Sequence, residues 1–264
     1  MAVTAAGLCG LAGCSGSNES STEGDPNTGQ SASDGPFTAV SIEETALVID
    51  VRDDADVGQV NVIAPDGSRI RSVEVVTGQT RVTVDIGVTY DPGTYEITTD
   101  SGESTSITLE PDLVIEELGV GANNLDVMPA SLDNLRGHEA TVVVRNRGSG
   151  PTGIRNLAFG GDVPRSSVEL LSTSYRSGIA DPEDGDDELD QVVVPAKSSV
   201  RLFSNTFPFL VSGGSMECSA EDQGSQAVVL VTSSVSGSTI EESFDISYNS
   251  TGDDCTVSVI SKRV

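Results

Sequence analysis

From Phe37 onward, hydrophobic and polar residues alternate with a period of two, broken at short intervals by turn-forming residues. The stretches 45–51, 59–64, 80–86 and 104–109 carry Val, Ile or Leu at alternate positions, and 69–75 and 93–99 show a looser form of the pattern, with Val73 and Val75 in the first and Tyr95 and Ile97 in the second. That pattern predicts strands with one buried and one solvated face. Between them lie Pro65-Asp66-Gly67, Thr77-Gly78, Asp91-Pro92-Gly93 and Asp100-Ser101-Gly102, residue types that favour tight turns. A short strand at 38–42 completes a set whose size and rhythm suit a small Greek-key sandwich. Glu110-Pro111-Asp112 then reads as a hinge, because Pro cannot continue a central strand. A second set follows at 113–118, 139–146, 153–159, 168–172, 191–194, 200–204, 226–235, 239–248 and 255–262. No stretch shows the spacing of an amphipathic helix. The expected fold is all-β, with two tandem sandwiches at 37–111 and 112–264, the second larger and carrying an acidic insertion.

Two local signatures resemble known families. Asp91-Pro92-Gly93-Thr94-Tyr95 resembles the Asp-x-Gly-x-Tyr corner of immunoglobulin-like domains, which implies that the Tyr95 hydroxyl bonds back to the corner backbone. Ile97 stands where antibody domains have Cys, and the chain has no Trp, so the resemblance is to the broad immunoglobulin-like class. Residues 137–159 (GHEATVVVRNRGSGPTGIRNLAF) resemble the opening of the CARDB type, a cell-adhesion-related sandwich of microbial surface proteins. In that type a strand ending in Arg-Asn precedes a Gly-rich turn and a second strand. The insertion over 164–192 is longer than a minimal domain of that type carries.

The amino terminus is different in kind. Residues 1–14 are small and apolar and end in Leu11-Ala12-Gly13-Cys14, which resembles the lipobox of secreted lipoproteins. The resemblance implies cleavage after residue 13, so that 1–13 is a signal peptide and Cys14 carries lipid. No positive n-region precedes Ala2, and the expectation is a translation start further upstream. Residues 14–36 contain no Leu, Ile, Val, Phe or Tyr, a composition that cannot build a core and predicts a disordered tether. Four cysteines are present. With Cys9 lost with the signal and Cys14 lipidated, Cys218 and Cys255 remain to form one disulfide outside the cell. Closing a loop of that length is worth about 4 kcal/mol in the chain-entropy model.

Charge narrows the setting. Lys plus Arg is 14 and Asp plus Glu is 41, a net −27, with the acids spread along the whole chain. Twelve of the cations are Arg and two are Lys. Such dispersed acidity looks like that of haloarchaeal proteins, in which molar salt screens carboxylate repulsion. It argues against nucleic-acid binding, which needs a basic face.

Candidate chemistry is sparse. A single His, His138, excludes any two-His site, and no Gly-x-Ser-x-Gly, Ser-x-x-Lys or Gly-x-x-x-x-Gly-Lys motif occurs. The acidic run 181–190 offers Asp181, Glu183, Asp184, Asp186, Asp187 and Asp190 as oxygen ligands for Ca²⁺, although its spacing is not that of an EF-hand. A solvated acidic loop accounts for the same residues. Arg145, Arg147 and Arg155 form the one local basic cluster. Asn18 and Asn249 head glycosylation sequons, the latter placed in the turn between the last two strands. The functional expectation is a non-enzymatic protein, lipid-anchored on the outer face of the cell membrane. It would act as a binding or adhesion module or an accessory envelope subunit, contacting an envelope protein or surface polymer and needing no cofactor. The alternative is a Ca²⁺-dependent polymer-binding protein or hydrolase using the 181–190 loop.

Overall fold

The computed structural model describes residues 35–172, 176–185, 187–211, 223–251 and 254–263. Alternation builds most of the first sandwich as expected; the exception is the strand at 69–74, which has no buried residue and leaves Ile70 42% exposed. In strand β5 (Arg81–Asp85) Val82 and Val84 are buried between exposed Arg81, Thr83 and Asp85. Together with β1 (Phe37–Glu43) and β2 (Ala46–Val51), β5 forms an antiparallel sheet in the order β1-β2-β5. Facing it, β3 (Gln59–Ile63), β4 (Arg69–Glu74), β6 (Gly93–Thr99) and β7 (Ser104–Leu109) run in the order β4-β3-β6-β7. Leu47, Ile49, Val60, Val62, Tyr95 and Ile97 meet between the sheets. Each such burial contributes roughly 1.5–3 kcal/mol. The Tyr95 hydroxyl donates to the Asp91 carbonyl at 2.9 Å, the corner bond expected from the sequence.

The second sandwich repeats this plan. β8 (Leu113–Val120), β9 (Ala140–Asn146) and β12 (Ser199–Phe203) form one sheet in the order β12-β9-β8. β10 (Thr152–Gly161), β11 (Val192–Val194), β13 (Gln223–Ser233), β14 (Thr239–Thr251) and β15 (Asp254–Lys262) form the other, in the order β11-β10-β13-β14-β15. Val142, Val144, Leu157, Phe159, Val229, Val231 and Phe244 fill its core. In the constant-type immunoglobulin order the fourth strand pairs in the sheet of the first two. Here the fourth strand of each sandwich, β4 or β11, has moved to the opposite sheet. The chain is a tandem of immunoglobulin-like sandwiches of one strand order, with β15 added at the end of the second.

Three expectations need correction. Residues 168–172 are a 3-10 turn (Val168–Ser172), not a strand. Their apolar side chains roof the outer face of β10, where Ala158 and Gly160 are buried, and a Cβ on Gly160 would come within 2.9 Å of Val168. A roof needs no strand alternation. Asn249 lies within β14, paired with Thr256, rather than in the turn. Finally, the 110–112 linker is held rather than free. The Ser149 and Gly150 amides donate to the Glu110 carbonyl (2.8 and 3.3 Å), and the Arg147 amide to that of Asp112 (2.7 Å). In return the Glu110 amide donates to Ser149 Oγ and the Asp112 amide to Asn146 Oδ1, each at 3.1 Å.

Two insertions decorate the second sandwich. The segment after β8 contains the 3-10 turns Gly121–Asn123 and Ala130–Leu135. It packs on the segment between β10 and β11 through Met128, Leu132 and Ala180.

Candidate functional site

A polar cleft of about 540 Å³ opens on the outer face of the five-stranded sheet. Its floor comes from β10, β13 and β14. The register of β10 against β13 shifts between Ile154 and Asn156, and in that irregularity Arg155 is exposed. Thr232 and Thr239 face each other across the β13–β14 hairpin, with hydroxyls 3.0 Å apart. The hairpin turns through Ser236 and Gly237, both at positive φ (65° and 64°), a conformation that suits Gly and strains Ser. Gly237 lies beside the Arg155 guanidinium.

The opposite wall is Leu171, Ser172, Arg176 and Ser177, with Asp190 also on the lining. This wall is tied down. The Asn156 side-chain amide donates to the Arg176 carbonyl at 2.8 Å, and the Leu157 amide to that of Ser177 at 2.7 Å. Arg176 Nε pairs with Glu188 Oε2 at 3.2 Å, while Glu188 Oε1 accepts the Gly178 amide at 2.6 Å. Arg176 is therefore positioned and partly neutralised. Among the described residues Arg155 makes no ion pair. Nearly every lining side chain can donate or accept a hydrogen bond, and Leu171 is the apolar exception.

The acidic run is folded against this region instead of converging on one point. Asp181 Oδ1 accepts the Glu183 amide at 2.8 Å, and the Asp181 amide donates to the Asp187 carbonyl at 3.0 Å. Ser131 Oγ donates to the Pro182 carbonyl, and Gly185 sits against Leu132 with no room for a Cβ. Asp190 turns to the cleft, and Glu188 buttresses Arg176. Asp184 and Asp187 remain in the loop, where the Asp187 amide donates to the Asp184 carbonyl. Asp186 lies outside the described residues. Among the described residues no three acidic, His or Cys side chains assemble as metal ligands.

The basic cluster is dispersed too. Arg145 pairs with Glu116 at 3.7 Å, and the Arg147 carbonyl accepts Lys197 Nζ at 2.5 Å. Arg155 alone serves the cleft. Cys14, Asn18 and Cys218 lie outside the described residues. Cys255 is on β15, half-buried against the second core, and Asn249 is exposed.

Sequence reasoning missed Asn146 and Glu139. Asn146 is fully buried. Its Oδ1 accepts the Asp112 and Gly148 amides, and its Nδ2 donates to the Gly150 and Val194 carbonyls. The signal was present in the Arg-Asn that ends β9, but the partners are set by the tertiary fold. Glu139 is buried at 3% exposure, with Oε2 unpartnered, and burial pushes its carboxyl up to about 7.

No protein family's sequence profile matches this chain, and neither does the sequence of any curated protein. Solved structures are similar at low identity. A biofilm-associated protein BSP domain matches at 16% identity and TM-score 0.24, over 78% of this chain and 27% of that one. A two-domain fibronectin type III segment of chicken tenascin matches at 12% and 0.24, over 79% and 95%. The first three fibronectin domains of chicken CNTN1 match at 13% and 0.21, over 78% and 62%. The chain thus spans about a quarter of the biofilm-associated chain it resembles.

Proposed function

We propose that this chain is a non-enzymatic extracellular binding module, anchored through lipid on Cys14 and displayed on the outer membrane face of a halophile. The observation that carries the reading is Leu11-Ala12-Gly13-Cys14 closing an apolar segment, followed by a stretch without Leu, Ile, Val, Phe or Tyr up to the first strand at Phe37. Residues 15–36 act as the tether, with an average reach of about 25 Å for a Gly/Ser-rich chain of that length. The tandem sandwiches are held at a fixed junction and carry a polar cleft at the surface. The net charge of −27 keeps such a surface solvated in brine. A bridge between Cys218 and Cys255 ties the last strand to the segment before β13.

The test is expression in a haloarchaeal host, with fractionation and mass analysis of the mature protein. The chain is expected in the membrane fraction, beginning at Cys14 with a lipid adduct, and Cys14→Ser releases it. Crosslinking on intact cells in native salt captures the surface partner. Recovery from the cytosol with the leader intact overturns the reading, and so does free alkylation of both Cys218 and Cys255 without reductant.

A further inference from the structure

We propose that the cleft walled by Arg155 and Arg176 binds a carboxylate-bearing saccharide. Arg155 receives the carboxylate, while Asn156, Thr232, Thr239 and Asp190 hydrogen-bond neighbouring sugar hydroxyls. This inference names the ligand class of the binding module above and rests on that reading.

Four observations converge on this ligand. The volume, about 540 Å³, falls within the range of small-molecule sites. The lining supplies hydroxyls, an amide, guanidiniums and one carboxylate, with a single apolar side chain, Leu171. That inventory matches a polyhydroxylated ligand and suits an apolar one poorly. The two guanidiniums are not equivalent, since Arg176 is engaged by Glu188 at 3.2 Å while Arg155 makes no ion pair among the described residues. A planar, permanently charged guanidinium is the side chain best shaped to take a carboxylate in two parallel bonds. Finally, Asp190 shares the lining. A fixed carboxylate repels a densely charged anion such as phosphate but accepts bonds from hydroxyls. The ligand that satisfies both ends has one anionic group and several hydroxyls, as a uronic acid residue does.

The surrounding field does not forbid such a ligand. The chain carries a net −27, which repels anions in dilute buffer. At molar salt the screening length is roughly 3 Å, so distant carboxylates are silenced, and a pair that the cleft walls partly bury is screened less than an open one. The wall is also ordered before the ligand arrives, because Arg176 and Ser177 are tied to β10 through Asn156 and Leu157. Such preorganisation reduces the entropy lost on binding.

The experiment is calorimetric titration of the full chain in molar sodium chloride with trigalacturonate, a neutral galactose trisaccharide and sodium acetate. Trigalacturonate is expected to bind at least tenfold more tightly than either of the others. Arg155→Ala is expected to weaken it about tenfold to a hundredfold, and Arg155→Lys is expected to recover part of the loss. Thr239→Val, which tests the hydroxyl end, lowers affinity several-fold, and unchanged melting temperatures verify that the variants fold. Failure of trigalacturonate to bind, equal binding of the neutral sugar or of acetate, or indifference to Arg155→Ala overturns the inference. The two readings fail separately. A chain that captures surface material by crosslinking yet ignores trigalacturonate loses only the cleft assignment. A cytosolic chain that binds trigalacturonate keeps the cleft and loses the anchored module.

Discussion

The Tyr90 hydroxyl donates to the Pro151 carbonyl at 2.8 Å, a bond from the first sandwich to the second. Tyr90 also packs edge-on against Tyr95, with ring centroids 6.3 Å apart at 75°. Burial raises its phenol above the ordinary tyrosine value, which favours the protonated, donating form. Nearby, Ser234 Oγ donates to the Val88 carbonyl at 2.5 Å, a second direct link. The core of one domain therefore reaches the backbone of the other through a single aromatic residue. Tyr90→Phe keeps the ring and deletes the bond. It is expected to lower stability by about 1 kcal/mol in urea denaturation and to separate the unfolding of the two sandwiches. Unchanged, coincident transitions would show that the bond does not couple them.

Asn146 makes the deeper link, joining the 110–112 linker, the 147–150 turn and β11 with four hydrogen bonds. Asn146→Ala strands buried donors and acceptors at once, and a loss of about 3 kcal/mol or more is expected. Asn146→Asp keeps the shape but sets an anion against the Gly150 and Val194 carbonyls, so it is expected to be at least as damaging at neutral pH and milder near pH 4. Thermal melts at the two pH values read the difference.

Gly148 touches the linker so closely that an added Cβ would overlap the Glu110 carbonyl and lie 2.6 Å from Pro111 Cα. Those atoms are backbone and cannot swing aside. Gly148→Ala is expected to cost about 1–3 kcal/mol. It should also change the relative orientation of the sandwiches in small-angle scattering, whereas Gly67→Ala, in an open turn, does not.

Glu139 makes stability depend on pH in a direction opposite to that of paired carboxylates. Its folded value is raised from 4.5 to about 7 by burial. Between those values the folded chain holds a proton that the unfolded chain has released. Stability therefore falls as pH rises through this window, and the full penalty stands above pH 7. The separation corresponds to roughly 3 kcal/mol. Glu139→Gln is expected to stabilise by up to that amount at pH 8 and hardly at all at pH 4.5, read by urea denaturation. Equal effects at both values would remove the buried ionisation from the account.

The surface charge predicts salt dependence. With net −27, the melting temperature is expected to rise from millimolar to molar sodium chloride as repulsion is screened. A flat profile would mean that the acids are individually compensated in the fold.

Much of the architecture was legible because it is local. The alternation of Arg81–Asp85 assigns each side chain to a face without reference to any other strand. Asp91 and Tyr95 are four residues apart, so their corner bond needs only a turn between them. The same reasoning failed at 168–172, where Val, Leu and Leu looked like a strand but pack as a roof on β10. Hydrophobicity reports that a residue meets apolar surface, not that it is buried or which element it forms: none of the three is buried, and Val168 is 41% exposed.

By itself, the sequence determined most of the strands and their buried faces, the turns between them and the acidic character of the chain, but not the turn at 168–172 or the exposed strand at 69–74. Each follows from sterics, period and charge within a few residues. Tertiary structure alone decided that β4 and β11 cross to the opposite sheets, that Asn146 locks the junction, and that Arg155 and Asn156 share a cleft with Thr232 and Thr239. Those juxtapositions span tens of residues of chain. They are set by which sheet edges close most favourably once every strand competes for a partner, a balance summed over the whole molecule and written in no single segment.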